Sequence, residues 1–340
     1  MPVTDRYVHG YHERESDRLR DQAGTLVELL HYDTAYPVGS AVLEAGCGVG
    51  AQTITLASRS PGAHFTSVDV SAESLAEAGR RAESAGLTNV EFQRADIFSM
   101  PFPPESFDHV FVCFVLEHLA RPVDALRLLG TVLRPGGTVT VIEGDHGSAY
   151  FHPDDPAAHA AIACLVELQH RAGGNALIGR QVYPLLVESG FSDVRVDPRV
   201  VYIDASRPGL VDGFTKKTFA AMVEGVREAS LTAGLIDAAT FDAGIRALHR
   251  TVEADGVFCY TFFKGVGTSR ELEQKGRPDP QFAGFAPSVA AMGNGQLRRS
   301  RKHRPEVSTD LSRSRHRRTD TPTTPAARCR STKPTAGFLL

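Results

Sequence analysis

The chain has 340 residues, 42% of them hydrophobic and none of them tryptophan, with 37 Lys/Arg against 40 Asp/Glu; that length allows one large or two small domains. No apolar run approaches the roughly 20 residues of a membrane span, and five cysteines at 47, 113, 164, 259 and 329 lack metal-ligand spacing, so a membrane-spanning chain and a cysteine metal site are both excluded. Charge divides the chain: residues 271–340 carry 14 Lys/Arg and 6 Asp/Glu, a net of +8, whereas the rest carries 23 against 34, a net of −11.

Met1 to Arg20 is charged and polar, which is not the pattern of a secretory leader, and reduced, mostly buried thiols agree with a cytoplasmic protein. Tyr7-Val8-His9-Gly10-Tyr11 is a run of aromatics too short for a core strand. Leu19, Ala23, Leu26, Val27 and Leu30 then recur at helical spacing, predicting an amphipathic helix over about 13–31.

An apolar strand runs next into a tight turn, Val42-Leu43-Glu44-Ala45-Gly46-Cys47-Gly48-Val49-Gly50. The three glycines remove the Cβ atoms that would hold a ligand away from the backbone. On its own, Gly46-x-Gly48-x-x-Ala51 also satisfies the dinucleotide fingerprint of NAD enzymes. A helix can open at Thr53 to Ser58, and His64 to Val70 reads as a second strand whose Asp69 can accept hydrogen bonds from ribose hydroxyls. Val90 to Ile97 is a third strand closing on Asp96, where a carboxylate can accept from an adenine amine while Ile97 covers the ring. Phe107 to His118 reads as a fourth strand entering a helix, and Leu133 to Ile142 as a turn and fifth strand.

This ordered series resembles the class I S-adenosylmethionine-dependent methyltransferases, particularly the small-molecule branch of ubiquinone/menaquinone type, over about residues 40–200 with a last strand near 256–265. The resemblance implies an α/β, Rossmann-like, seven-stranded, mostly parallel sheet with helices on both faces, and S-adenosylmethionine as cofactor. It places Glu44, Gly46, Gly48 and Gly50 at the methionine part of the cofactor, Asp69 at the ribose with Val70 beside the adenine, and Asp96 with Ile97 at the adenine. Cys113 and Phe114 would approach the methionyl end. Tyr11 reads either as part of a flap touching that end or as a staple anchoring the following helix.

Beyond the fifth strand, Ala157 to Arg171 reads as an extra helix, about 179–189 as the usual one and Val194 to Ile203 as the sixth strand. Residues 208–253 read as two helices before the last strand from Val257. Helices over about 148–175 and 208–253 would form a cap inserted near the last strands, enclosing a methyl acceptor beyond the carboxyl ends of the strands. Phe214 and Met222 read equally well as ordinary core or an oligomer contact. The domain boundaries expected are 1–38 for the aromatic flap and helix, 39–267 for the methyltransferase domain and 268–340 for a disordered basic tail. That tail, with Arg298 to Arg304 and Arg313 to Arg318 among Ser, Thr and Pro, reads as a solvated appendage or a nucleic-acid arm.

Methyl transfer from a sulfonium needs positioning and exclusion of water, with no covalent nucleophile or metal. An oxygen or carbon acceptor is helped by a base, for which His118, Glu143, Asp145 and His146 are candidates. Histidine suits the task because its ordinary pKa lies near operating pH; His146 comes first, on an expected loop after the fifth strand, and Glu117 reads as structural. Cys113-Phe114-Val115-Leu116 replaces the Asp/Asn-Pro-Pro-Tyr element of amino-methylating nucleic-acid enzymes, which favours a free small molecule, and the aromatic-rich cap expected here favours a largely apolar one. The alternatives from other classes are an NAD-dependent oxidoreductase and a non-catalytic cofactor-fold protein holding nucleic acid through its tail.

Overall fold

The computed structural model describes residues 26–270. The expected Tyr7–Tyr11 flap with Tyr11, the start of the first helix, the basic tail and Cys329 lie outside them. Helix α1 is described over 26–31, where Leu26 and Leu30 are buried on its inner face. The chain then alternates: β1 (Ala41–Ala45), α2 (Ala51–Arg59), β2 (His64–Asp69), α3 (Ala72–Ser84), β3 (Val90–Arg94), β4 (Phe107–Cys113), α4 (Pro122–Val132) and β5 (Leu133–His152). Next come α5 (Pro156–Arg171), α6 (Val182–Glu188), β6 (Ser192–Ile203), a helical run from α7 (Pro208–Leu210) through a π-helical stretch (Val211–Ala220) into α8 (Ala221–Gly225), then α9 (Arg227–Thr232), α10 (Ala238–Arg250) and β7 (Val257–Thr268).

Side-chain caps set several starts. Ser71 accepts the Ser74 N–H ahead of α3, Asp155 the Ala157 N–H ahead of α5 with Pro156 following, and Asp237 the Thr240 N–H ahead of α10; each satisfies a donor the helix leaves open. Helix α2 has no side-chain cap and begins at Gly50 in the left-handed region.

The seven strands form one sheet in the order β3-β2-β1-β4-β5-β7-β6, parallel except for β7, which runs antiparallel to both β5 and β6. One face carries Val42, Phe65, Phe111, Ile142, Phe258, Tyr260 and Phe262, packed under α1, α2, α5, the 208–225 run and α10. The other carries Leu43, Val68, Val110, Val112, Val139 and Val141 under α4 and α6. The expected sheet with helices on both faces is therefore present.

Two expectations change in detail. The segment after Ile142 is no loop: β5 runs on to His152 paired with β7, with an irregularity between Asp145 and Tyr150. Gly144 lies opposite Phe262 in the ladder and His146 meets the Tyr260 hydroxyl, and with Glu143 and Asp145 also buried that packing holds the segment extended. The segment expected as the first cap helix, about 148–175, is therefore strand as far as His152, with helix from Pro156 to Arg171. The second, 208–253, holds the 208–225 run, α9 and α10 in place of two helices. Helix α10 crosses α5 so closely that a Cβ on Gly244 would lie 2.4 Å from the Ala157 carbonyl oxygen.

Candidate functional site

The turn after β1 is built for close approach. Gly46, Gly48 and Gly50 have φ of 78°, 52° and 73°, where L side chains are strained. A Cβ on Gly46 would sit 2.5 Å from Val115 Cγ2, one on Gly50 2.9 Å from Ala78 Cβ, and one on Gly48 in open space. The Gly46 and Cys47 N–H groups both donate to the Val68 carbonyl, fixing the turn to the end of β2.

Asp69 makes the second tie. Its Oδ2 accepts the Gly48 N–H at 2.9 Å and its Oδ1 the Ser71 N–H at 2.9 Å. One carboxylate thus joins the glycine turn to the start of α3, and burial pushes its carboxyl above the usual carboxylate range. Asp69 is half-buried. Each oxygen has a further lone pair for a ligand hydroxyl. Val70 lies beside it, half-buried, its carbonyl accepting from Arg94 Nε. Asp96 accepts the Phe98 N–H to start a short 3₁₀ turn whose first residue, Ile97, is buried.

Glu44 is enclosed between β1, β2 and α2. Its Oε2 takes both the Thr53 and Ser67 hydroxyls, at 2.6 and 2.7 Å, and burial pushes its carboxyl up to about 7. Its contacts brace the turn from within the fold.

Strand β4 ends at Cys113, buried, with a thiol pushed upward by burial. Phe114 follows with φ 57°, a conformation that costs an aromatic residue about 1–3 kcal/mol and gathers at functional positions. Its N–H donates to the Ile142 carbonyl and its ring lies 5.6 Å from that of Phe262. Glu143 then latches the segment: Oε1 accepts the Val115 and Leu116 N–H groups at 3.0 and 2.7 Å. Glu117 accepts from Gln169 Nε2 and, through its carbonyl, from the Asn175 N–H, so α5 is tied to the same corner. Burial, with the Glu117 carboxylate nearby, holds the Glu143 carboxyl well above the ordinary range. His118 is half-buried, its Nε2 3.6 Å from Glu117 Oε1.

His146 lies within β5, buried, and is not on a loop. Its Nδ1 is 2.7 Å from the Tyr260 hydroxyl, and the Phe219 ring meets it edge-on. The pair belongs to an aromatic enclosure of Phe214, Phe219, Phe258, Tyr260 and Phe262. Asp145, a base candidate from the sequence, is instead buried in a two-point ion pair with Arg180 at 2.6 and 2.8 Å. The structure thus brings Gly46, Gly48, Gly50 and Asp69 together at one strand end, and gathers Phe114, Glu117, His118 and Glu143 at the next.

Sequence reading missed a charged cluster on the aromatic face. Arg199 of β6 and Lys264 of β7 are both buried and share one carboxylate: Arg199 Nη2 reaches Asp33 Oδ2 at 2.5 Å and Lys264 Nζ reaches Asp33 Oδ1 at 2.7 Å and Thr34 Oγ1 at 2.6 Å. The Arg199 guanidinium also lies over the Tyr32 ring at 4.3 Å. Its Nε and Nη1 are buried with no hydrogen-bond partner among the described residues, a state that costs about 1–3 kcal/mol per group, more where charged. The available signal was charge on alternating strand positions otherwise filled by apolar residues.

Among the described residues no cluster of His, Cys, Asp or Glu could hold a metal, no helix is long and apolar enough to cross a membrane, and Cys47, Cys113, Cys164 and Cys259 are free and buried.

Residues 42–137 match the family described as a methyltransferase domain. A demethylmenaquinone methyltransferase of Thermus thermophilus is 38% identical over 102 residues, 30% of this chain and 46% of that protein. The 27-O-demethylrifamycin SV methyltransferase of Amycolatopsis mediterranei is 31% identical over 134 residues, 39% of this chain and 49% of that one. The chain spans about half the length of the curated relatives it matches. The fold is that of the solved Haemonchus contortus phosphoethanolamine N-methyltransferase 2, with a TM-score of 0.51 at 16% identity over 80% of this chain and 61% of that one.

Proposed function

We propose that this chain, whose residues 42–137 match a methyltransferase domain, is a class I S-adenosylmethionine-dependent methyltransferase that moves the cofactor methyl group to a largely apolar small molecule. Oxygen or carbon is favoured as acceptor ahead of nitrogen. The observation that carries the cofactor assignment is the glycine turn locked to Asp69. A backbone bare of side chains meets a fixed carboxylate there, the pairing that a nucleoside with an attached chain requires. Strand order separates this from a nicotinamide site: the dinucleotide fold runs 3-2-1-4-5-6, whereas an antiparallel β7 enters here between β5 and β6.

When bound, S-adenosylmethionine supplies a methyl group made electrophilic by its sulfonium. The chain's own residues would hold and enclose the reactants. Gly46, Gly48 and Gly50 accommodate the methionine part, Asp69 accepts from the ribose beside Val70, and Asp96 with Ile97 bounds the adenine. Cys113 and Phe114 lie toward the methionyl end, and the aromatic enclosure with the cap keeps water out. His146, oriented by Tyr260, is the proposed base and His118 the alternative; Glu143 and Asp145 are occupied with backbone and Arg180 respectively.

The relatives named for rifamycin and menaquinone substrates support an apolar acceptor, and the first supports a place in secondary metabolism. Free buried cysteines support a cytoplasmic setting. Calorimetry with S-adenosylhomocysteine and NAD in separate titrations tests the assignment: the first should bind and the second should not, and binding of NAD alone would overturn it. A screen of acceptors with labelled cofactor, read by product mass, then identifies the atom methylated.

A further inference from the structure

Arg199 and Lys264 stand on the same face as the aromatic enclosure. Arg199 is directly opposite Phe262 in the β6–β7 ladder, and Lys264 opposite Ile142 in the β5–β7 ladder. Phe262 touches Phe114, the strained residue at the end of β4, and the Phe114 N–H donates to Ile142. Counted from β4, where Cys113 and Phe114 stand nearest the transferred methyl in the proposed reading, Lys264 is two interstrand spacings away and Arg199 three, roughly 10 and 14 Å.

Their neutralisation is incomplete in a specific way. Asp33, itself 39% exposed, gives one oxygen to each cation, so Arg199 keeps a single-point contact where the guanidinium can make two. Tyr32 covers its face, not its N–H bonds, and Nε and Nη1 have no hydrogen-bond partner among the described residues. Asp197 lies opposite Lys264 but is exposed on the edge strand. A buried guanidinium with donors left over, beside a second buried cation and an aromatic wall, matches an anionic oxygen on an otherwise apolar molecule.

We propose that Arg199, supported by Lys264, binds an anionic group of the methyl acceptor, a carboxylate or a phosphate monoester, at the end remote from the methylated atom. This rests on the methyltransferase reading and names the acceptor's chemical class: an apolar body that spans about three interstrand spacings, roughly 14 Å, with one terminal anion. Asp33 divides its charge so that both cations stay in place without saturating either.

The test uses the full chain loaded with S-adenosylhomocysteine, and three probes of one shape: 4-butylbenzoate, 4-butylphenyl phosphate and 4-butylbenzamide. At least one anion should bind tenfold or more tighter than the amide, and which one does so distinguishes carboxylate from phosphate. Arg199→Gln and Arg199→Lys should each remove most of that preference while S-adenosylhomocysteine affinity stays within threefold. The Arg199 Nε–H resonance in ¹⁵N-arginine protein should shift on adding the preferred anion, a readout that stands even if both variants fail to fold. Equal binding of all three probes, an anion preference that survives both substitutions, or an unmoved Arg199 resonance overturns the proposal. Loss of S-adenosylhomocysteine binding by the wild-type chain overturns the methyltransferase reading instead.

Discussion

Single carboxylates do separate jobs at the proposed cofactor end. Asp69 joins Gly48 to Ser71, so Asp69→Ala should weaken S-adenosylhomocysteine binding about ten- to a hundredfold in calorimetry. It should also lower stability by about 1–3 kcal/mol in thermal unfolding, because two backbone donors lose their acceptor. Unchanged affinity in a folded variant would falsify the ribose assignment. Glu44 differs. Its folded carboxyl is held up to about 7 against an ordinary 4.5, so the folded state binds the extra proton between those values. Its contribution is most favourable below pH 4.5 and is lost as pH rises through about 7, an amount of about 3 kcal/mol. Glu44→Gln keeps an oxygen for Thr53 and Ser67 and removes that slope; its melting temperature should exceed wild type at pH 8 and fall level with it at pH 5. A constant difference across that range would show that Glu44 stays ionised. His146→Ala should lower turnover about 10²–10⁴-fold with cofactor affinity intact if His146 is the base; His118→Ala is the matched control, and full turnover in both leaves positioning alone. The glycines and strand-end acids were readable from sequence because turn chemistry is local. Arg199, Lys264 and Asp33 were not: their meeting depends on β6 and β7 pairing across a long excursion and on a segment 231 positions away in the chain from Lys264.

At the scale of elements, the extension of β5 past Ile142 decides where His146 stands. Sequence reading ended that strand at Ile142 because Glu143-Gly144-Asp145-His146-Gly147-Ser148 has the composition of a turn; tertiary pairing with β7 overrides that preference. Gly144 makes the pairing possible, since a Cβ there would lie 2.4 Å from the Tyr260 hydroxyl. Tyr260 is buried among Phe214, Phe219 and Phe262 and has nowhere to go. Gly144→Ala should therefore cost about 1–3 kcal/mol in chemical denaturation and pull the Tyr260 hydroxyl from His146, lowering turnover with Asp69-dependent cofactor binding unchanged. A variant as stable and active as wild type would show that the corner yields. The long π-helical stretch, with the Thr218 hydroxyl bonded to the Gly213 carbonyl, left no sequence signal: helical periodicity reads α and π turns alike at this length.

For the whole molecule, the seven-stranded, mostly parallel sheet was expected through the family resemblance, whereas the spatial order and the antiparallel β7 between β5 and β6 rest on pairing that no local motif encodes. The segments expected to form a cap were legible only as helical length. Residues 271–340 carry a net +8 against −11 for the rest. A chain ending at Arg270 should bind S-adenosylhomocysteine within threefold of the full chain, and a larger change would place that segment in the cofactor's affinity. The long excursion between β6 and β7 has one further consequence. It leaves at Ile203 and returns at Val257, and Ile203 is paired with Phe258, so both ends of some fifty residues pass through a single doorway on adjacent strands. A genetic exchange with crossovers at that doorway would transplant the excursion whole without disturbing a strand. Where the excursion shapes the proposed acceptor space, a new acceptor preference would arrive by cassette, with the glycine turn and Asp69 unaltered.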